Sequence, residues 1–193
     1  MCTEARAETV NPVARNRYLL FLLVAAGGAA ADLLTKGLVF AWLGPPNSPD
    51  GRYWLVPRVF AFTTWFNEGA LFGMGQGFNF LFAGLSVVAA VAILYWLFVL
   101  KAAHDGRLNL AMALVMAGIL GNLYDRLGLH GLTTPDGARV FAVRDFLDFA
   151  LINWPIFNLA DSFLVFGAAL LFLLSFQTHS AHAEAKGVES PSC

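Results

Sequence analysis

The sequence predicts an all-α integral membrane protein: four transmembrane helices with a small β-rich platform on the extracytoplasmic side. Three observations predict it. Of 193 residues, 58% are hydrophobic and only 13% are charged, whereas a soluble globular chain carries about 25% charged residues. Four stretches reach or approach the ~20 apolar residues needed to cross ~30 Å of hydrocarbon. The two longest connecting segments, 44–77 and 125–155, fall on one side of such a bundle and contain strand-like runs.

The N-terminal residues 1–17 are polar and contain Arg6, Arg15 and Arg17, which marks a cytoplasmic tail under the positive-inside rule. The first span, 18–43, is longer than a signal-peptide core and lacks a small-residue cleavage site after it, so it reads as retained. Residues 53–57 (YWLVP) and 59–66 (VFAFTTWF) are β-branched and aromatic, the composition of strands. Spans two and three, 78–100 and 108–124, carry no charge, and Lys101 and Arg107 place the short loop between them inside. In the second long loop, TPDG at 134–137 signals a turn, and 139–145 is a further extended candidate. The fourth span, 156–176, is charged only at Asp161 and returns residues 177–193 to the cytoplasm. The expected organisation is therefore a tail (1–17), one four-helix domain (18–176) and a second tail (177–193), with both termini inside. A net charge of −1 gives no case for nucleic acid. Cys2 and Cys193 form neither a metal spacing nor a disulfide framework, and a monomer without metal or cofactor is expected.

The polar residues gather at the loop-bearing side. Asp32 and Lys36 stand four apart on one face of the first helix, as an interfacial ion pair would, and Gly27, Gly28 and the alanines at 29–31 allow another helix to approach there. NEGALFG (67–73) suggests tightly turning backbone. GNLYDR (121–126) ends the third span, with Asn122 and Arg126 on one face, Asp125 beside them, and Ala117 and Gly121 offering a small-residue contact surface. Most informative are VRDFLDF (143–149) and FNLADS (157–162). Pro155 suits the first turn of a helix, which puts Asp161 about two turns, or ~9 Å, down the fourth span, with Asn158 within hydrogen-bonding reach. A carboxylate inside a span costs about 2.5–3.5 kcal/mol and ordinarily marks function. Asp145 lies in a loop that must return to the same interface, so the two can meet. Asp148 is its rival, but three residues along an extended strand it points to the opposite face. Two carboxylates sharing one site hold a single proton between them, the arrangement with which aspartic proteases activate water.

With these residues the chain resembles lipoprotein signal peptidase (signal peptidase II), the bacterial membrane aspartyl protease family. The matching pieces occur in family order: DLLTK (32–36), NEGALFG (67–73), GNLYDR (121–126), VRDF (143–146) and FNLADS (157–162). The resemblance implies an endopeptidase of the bacterial cytoplasmic membrane. It removes signal peptides from prolipoproteins before a diacylglyceryl-modified cysteine, in contact with membrane lipid, with its site near the outer face and no metal or nucleotide. It implies Asp145 and Asp161 as the catalytic pair and Asp32, Lys36, Asn67, Gly69, Gly121, Asn122, Arg126, Asn158 and Ala160 as supporting positions. Two departures stand out: Arg144 precedes the first catalytic aspartate where an apolar residue is usual, and the segment 127–142 is longer. The competing readings are a proton-coupled transporter or channel subunit, with Asp32, Lys36 and Asp161 as a relay, and a non-catalytic assembly factor. Against the first, there is no internal repeat and the polar groups cluster at one side. Extended outer loops would hold a peptide substrate by strand addition.

Overall fold

The computed structural model describes residues 13–49, 51–69 and 75–188, with side chains described as far as residue 176. Cys2, Arg6, Asp50, Cys193 and positions 70–73 of the NEGALFG motif lie outside the described residues. Among the described residues, four helices are long and apolar enough to cross a membrane. They are α1 (Arg15–Leu43), α2 (Asn79–Leu94, continued by one π-helical turn, Tyr95–Val99), α3 (Gly106–Arg126) and α4 (Leu159–Val188). Three strands stand at one end: β1 (Arg52–Val56), β2 (Phe60–Asn67) and β3 (Val143–Asp148).

The helices form around α3, the hub against which α1, α2 and α4 all pack. The reason lies in its composition: Ala111, Ala113, Ala117, Gly118 and Gly121 are buried along it, and small residues let neighbouring backbones come close. A Cβ at Gly118 would run into the Ala160 carbonyl and the Leu164 side chain, and one at Gly167 would stand 2.7 Å from Val115. On the other side, a Cβ at Gly28 would sit 2.7 Å from that of Ala117, whereas Gly27 faces open space. Leu22, Leu34, Leu38, Val88, Phe166 and Phe172 are exposed instead, as a lipid-facing surface requires. Far from the sheet, Phe21, Ala25, Leu97, Ala103 and Met116 close the core. There the chain turns back through Lys101 in the left-handed region, and Asp105 caps α3 by accepting from the Arg107 N–H.

The sheet has the order β1-β2-β3 and is antiparallel throughout. Phe146 on β3 packs with Val39, Phe40 and Leu43 at the end of α1, which fastens the platform to the bundle. One expectation is corrected. The third strand is Val143–Asp148 rather than 139–145, because Arg139 pairs with Thr133 across a local turn instead. The apolar part of α4 ends at Phe176 as expected, and the helix itself continues to Val188.

Candidate active site

Asp145 comes from the middle of β3, paired with Trp65 of β2. Asp161 comes from the first turn of α4. This corrects the expected depth: Pro155 does not begin the helix. Phe157 instead bridges Leu147 of β3, so the chain is still extended there. The helix starts where Asn158 and Asp161 cap one another. The Asp161 N–H donates to Asn158 Oδ1 at 3.0 Å and the Asn158 N–H donates to Asp161 Oδ2 at 3.2 Å, the reciprocal arrangement of a capping box. Asp161 therefore stands at the head of the span, where the helix dipole favours a negative charge.

Asn158 also joins the two carboxyl groups, since its Nδ2 donates to Asp145 Oδ1 at 2.6 Å. The second Asp145 oxygen accepts from Asn67 Nδ2 at 3.0 Å, and Asp161 Oδ1 accepts from Asn122 Nδ2 at 2.8 Å. Each amide is oriented by a bond on its opposite side. Asn67 Oδ1 accepts from the Gly69 N–H, Asn158 Oδ1 from the Asp161 N–H, and Asn122 Oδ1 from Lys36 Nζ at 3.0 Å. Three Asn side chains thus present donors to the pair, and none can flip without losing its other bond. Asp145 is fully buried. Burial first, and then the charge of Asp161, push its carboxyl up to about 8.

Behind the pair lies a buried ionic cluster. Lys36 Nζ is 2.7 Å from Asp32 and 3.3 Å from Asp125, all three fully inaccessible. The Asp32–Lys36 pair is thus buried among the helices at the loop-bearing end of the bundle. Asp32 Oδ1 accepts from the Ala160 N–H at 2.9 Å, fastening α1 to the head of α4. Gly121 makes room for this, because a Cβ there would collide with the Asp32 carboxylate. Asp125 pairs with Arg144 at 2.8 Å, not with its neighbour Arg126. Arg126 instead donates to the Gly69 carbonyl at 3.0 Å and lies over the Phe82 ring. Asp148 is bound by Arg52 of β1 across the sheet, so this third carboxylate is committed elsewhere.

The structure brings Asp145, Asp161, Asn67, Asn122 and Asn158 into direct contact, and places Asp32, Lys36, Gly69, Gly121, Arg126 and Ala160 around them. Sequence reasoning named Arg144 only as a departure from the family pattern, although an arginine beside a catalytic candidate was a usable signal for a buried carboxylate partner such as Asp125. Among the described residues no group of three or more His, Cys, Asp or Glu side chains could hold a metal ion.

A groove of about 520 Å³ opens onto Asp161, Asn122 and Arg126 and descends between α2 and α4, along Phe82, Leu85, Leu164 and Val165. Trp154 and Phe157, from the segment before α4, also line it. The strand edge beside Asp145 is not free for strand addition. The N–H groups of Phe146 and Leu147 donate to the Phe157 carbonyl, and the Arg144 N–H donates to Asp125.

The model of the family described as Signal peptidase (SPase) II matches residues 24–177. The lipoprotein signal peptidase of Rhodopirellula baltica is 42% identical over 180 residues, covering 91% of this chain and 80% of its own. That of Rhodococcus jostii is 34% identical over 180 residues, covering 93% and 83%. A solved bacterial membrane enzyme superposes with a TM-score of 0.69 at 27% identity, over 83% of this chain and 90% of that one. With its family match covering both carboxylates and reaching into all four helices, the chain belongs to the signal peptidase II family and is a multi-pass bacterial membrane protease.

Proposed function

We propose that the protein is an aspartic endopeptidase that removes signal peptides from prolipoproteins, with Asp145 and Asp161 as its catalytic pair. The observation that carries this reading is Asn158, one side chain that caps α4 at Asp161 and hydrogen-bonds Asp145. A carboxyl raised to about 8 beside a second one is the condition for a pair that shares a proton at neutral pH.

In the proposed reaction Asp145 holds the proton. Asp161, in the polar grip of Asn122 and the Asn158 N–H, takes a proton from water, and the resulting hydroxide bonds to the scissile carbonyl carbon. Asp145 gives its proton to the carbonyl oxygen, and a gem-diol forms. Asp161 then protonates the leaving nitrogen while Asp145 recovers a proton from a diol hydroxyl. The C–N bond breaks, releasing the signal peptide as a carboxylic acid and the lipid-modified cysteine as a free amine. Both residues return to their starting states.

The apolar groove between α2 and α4 suits a diacylglyceryl chain. Leu164, Val165 and Ala168 line it for about 10 Å below Asp161. Since the strand edge next to Asp145 is occupied, the peptide would enter past Trp154 rather than join the sheet. Lys101 and Arg107 at the short-loop end, and Arg15 and Arg17 at the start of α1, support a cytoplasmic location for both termini. The pair would then lie near the outer face.

The test is turnover of a diacylglyceryl-modified precursor by purified protein. Asp145→Asn and Asp161→Asn are each expected to abolish release of the signal peptide while the variants still fold. Wild-type turnover by either one refutes the assignment.

A further inference from the structure

We propose that Arg144 is a positioning residue whose charge, acting through Asp125, balances the buried charges around Asp145 and Asp161 and sets the pH range over which the pair holds a single proton. The inference rests on the reading of those two residues as the catalytic pair.

The Arg144 guanidinium grips Asp125 through Nη2 at 2.8 Å and through Nε at 3.1 and 3.2 Å, and the Arg144 backbone N–H donates to Asp125 Oδ2 at 3.0 Å. Arg144 is 6% exposed, so little water competes. Successive strand residues point to opposite faces. The grip on Asp125 thus holds β3 to α3 by the face opposite Asp145, and through the main chain it fixes where Asp145 sits.

The second argument is charge balance. The other charged groups packed around the pair are Asp32 and Lys36 of α1 and Asp125 and Arg126 of α3, all buried. With one proton shared between Asp145 and Asp161, the cluster is neutral: Lys36, Arg126 and Arg144 against Asp32, Asp125 and one dyad carboxylate. Without Arg144 it would be negative, with Lys36 left to serve both Asp32 and Asp125. Lys36 is also the donor that orients Asn122 toward Asp161, so the ionic cluster reaches the pair directly. On the loop before β3, Arg139 is exposed, with its Nε on the Gly128 carbonyl, so solvent screens it from the pair, and His130 is half-buried. Burial lowers His130 below its ordinary value, so it adds no charge near neutral pH. Arg52 and Asp148 neutralise each other across the sheet. The remaining face of Arg144 lies over the Phe40 ring at 6.0 Å.

The test is the pH profile of kcat/KM on a diacylglyceryl-modified precursor, with thermal unfolding as the check on folding. Removing a cation makes ionisation of the pair harder, so Arg144→Met moves the profile to higher pH. The expected shift is on the order of one pH unit, as for a unit charge across roughly 10 Å at an effective dielectric of about 20. Asp125→Asn removes an anion and moves the profile to lower pH. The double variant returns toward wild type, and Arg144→Lys, which keeps the charge, leaves the profile in place even where kcat falls. A purely structural role would lower the rate without these opposite displacements. Profiles of Arg144→Met and Asp125→Asn that superimpose on wild type, or move in the same direction, overturn the inference. If Arg144→Met does not fold, Asp125→Asn decides alone, and an unshifted profile overturns it. Asp145→Asn separates the two failures. If that variant is inactive, unshifted profiles sink this inference alone, whereas its wild-type turnover removes the catalytic reading as well.

Discussion

Asp145 is a residue the fold holds at a cost. It is buried beside a second carboxyl, and its proton affinity is raised from the ordinary 3.8 to about 8. A carboxyl raised on folding contributes stability that is complete below its unfolded value and is lost as pH rises through its folded value. The protein should therefore lose stability progressively between about pH 4 and pH 8. Asp145→Asn removes the titration while keeping an amide that can meet Asn67. Its unfolding temperature in detergent is expected to exceed that of wild type at pH 8, with the difference closing toward pH 4. A wild-type unfolding temperature flat across that window would contradict the burial argument. The same exchange of stability for chemistry is common at active sites.

At the scale of elements, the start of α4 decides where Asp161 stands. Pro155 offered one start and the Asn158–Asp161 cap another. The cap prevailed because the Phe157 backbone is engaged with β3. Both signals were in the sequence, but only the pairing with Leu147, ten residues upstream, chose between them. Asn158→Ser separates the two duties of this position. Serine caps helices about as well as asparagine but is too short to reach Asp145. The variant is expected to unfold within about 1 kcal/mol of wild type, yet to lose about 10- to 100-fold in turnover, because Asp145 becomes charged once it gives up its proton and Asn158 is then the donor to a charged group. Equal loss of stability and turnover would show that the cap alone matters. Sequence reasoning likewise named Gly121 but not Gly118 or Gly167. A small residue in a span declares its importance only once a partner backbone lies against it.

At the scale of the whole molecule, α3 is the hub, and the gap left between α2 and α4 opens onto Asp161; on the proposed function it is the route from the lipid phase to the pair. Its orientation can be read with single cysteines after Cys2 and Cys193 are replaced by serine. A cysteine at Asp136, fully exposed in the loop before β3, is expected to react with an impermeant thiol reagent in cells with an intact inner membrane. One at Arg107, in the short-loop end, is expected to react only once the membrane is opened. The reverse pattern would put the pair on the cytoplasmic side, away from exported precursors.

The sequence by itself determined the four spans, the two strands before α2, the polar end of the bundle and that Asp145 and Asp161 could meet there. These follow from local rules: hydrocarbon thickness fixes span length, β-branched and aromatic runs favour strands, and a charge within an apolar run must be compensated. Tertiary structure alone decided that Lys36 serves Asp32, Asp125 and Asn122 together, that Asp125 belongs to Arg144, that Asp148 belongs to Arg52, and that a groove separates α2 from α4. Apart from Asp32, four residues from Lys36, those partners lie 19 to 96 residues apart in the chain. The reason is physical: a buried charge must be paired, but which partner it takes depends on which helix and strand faces the packing of small residues brings together.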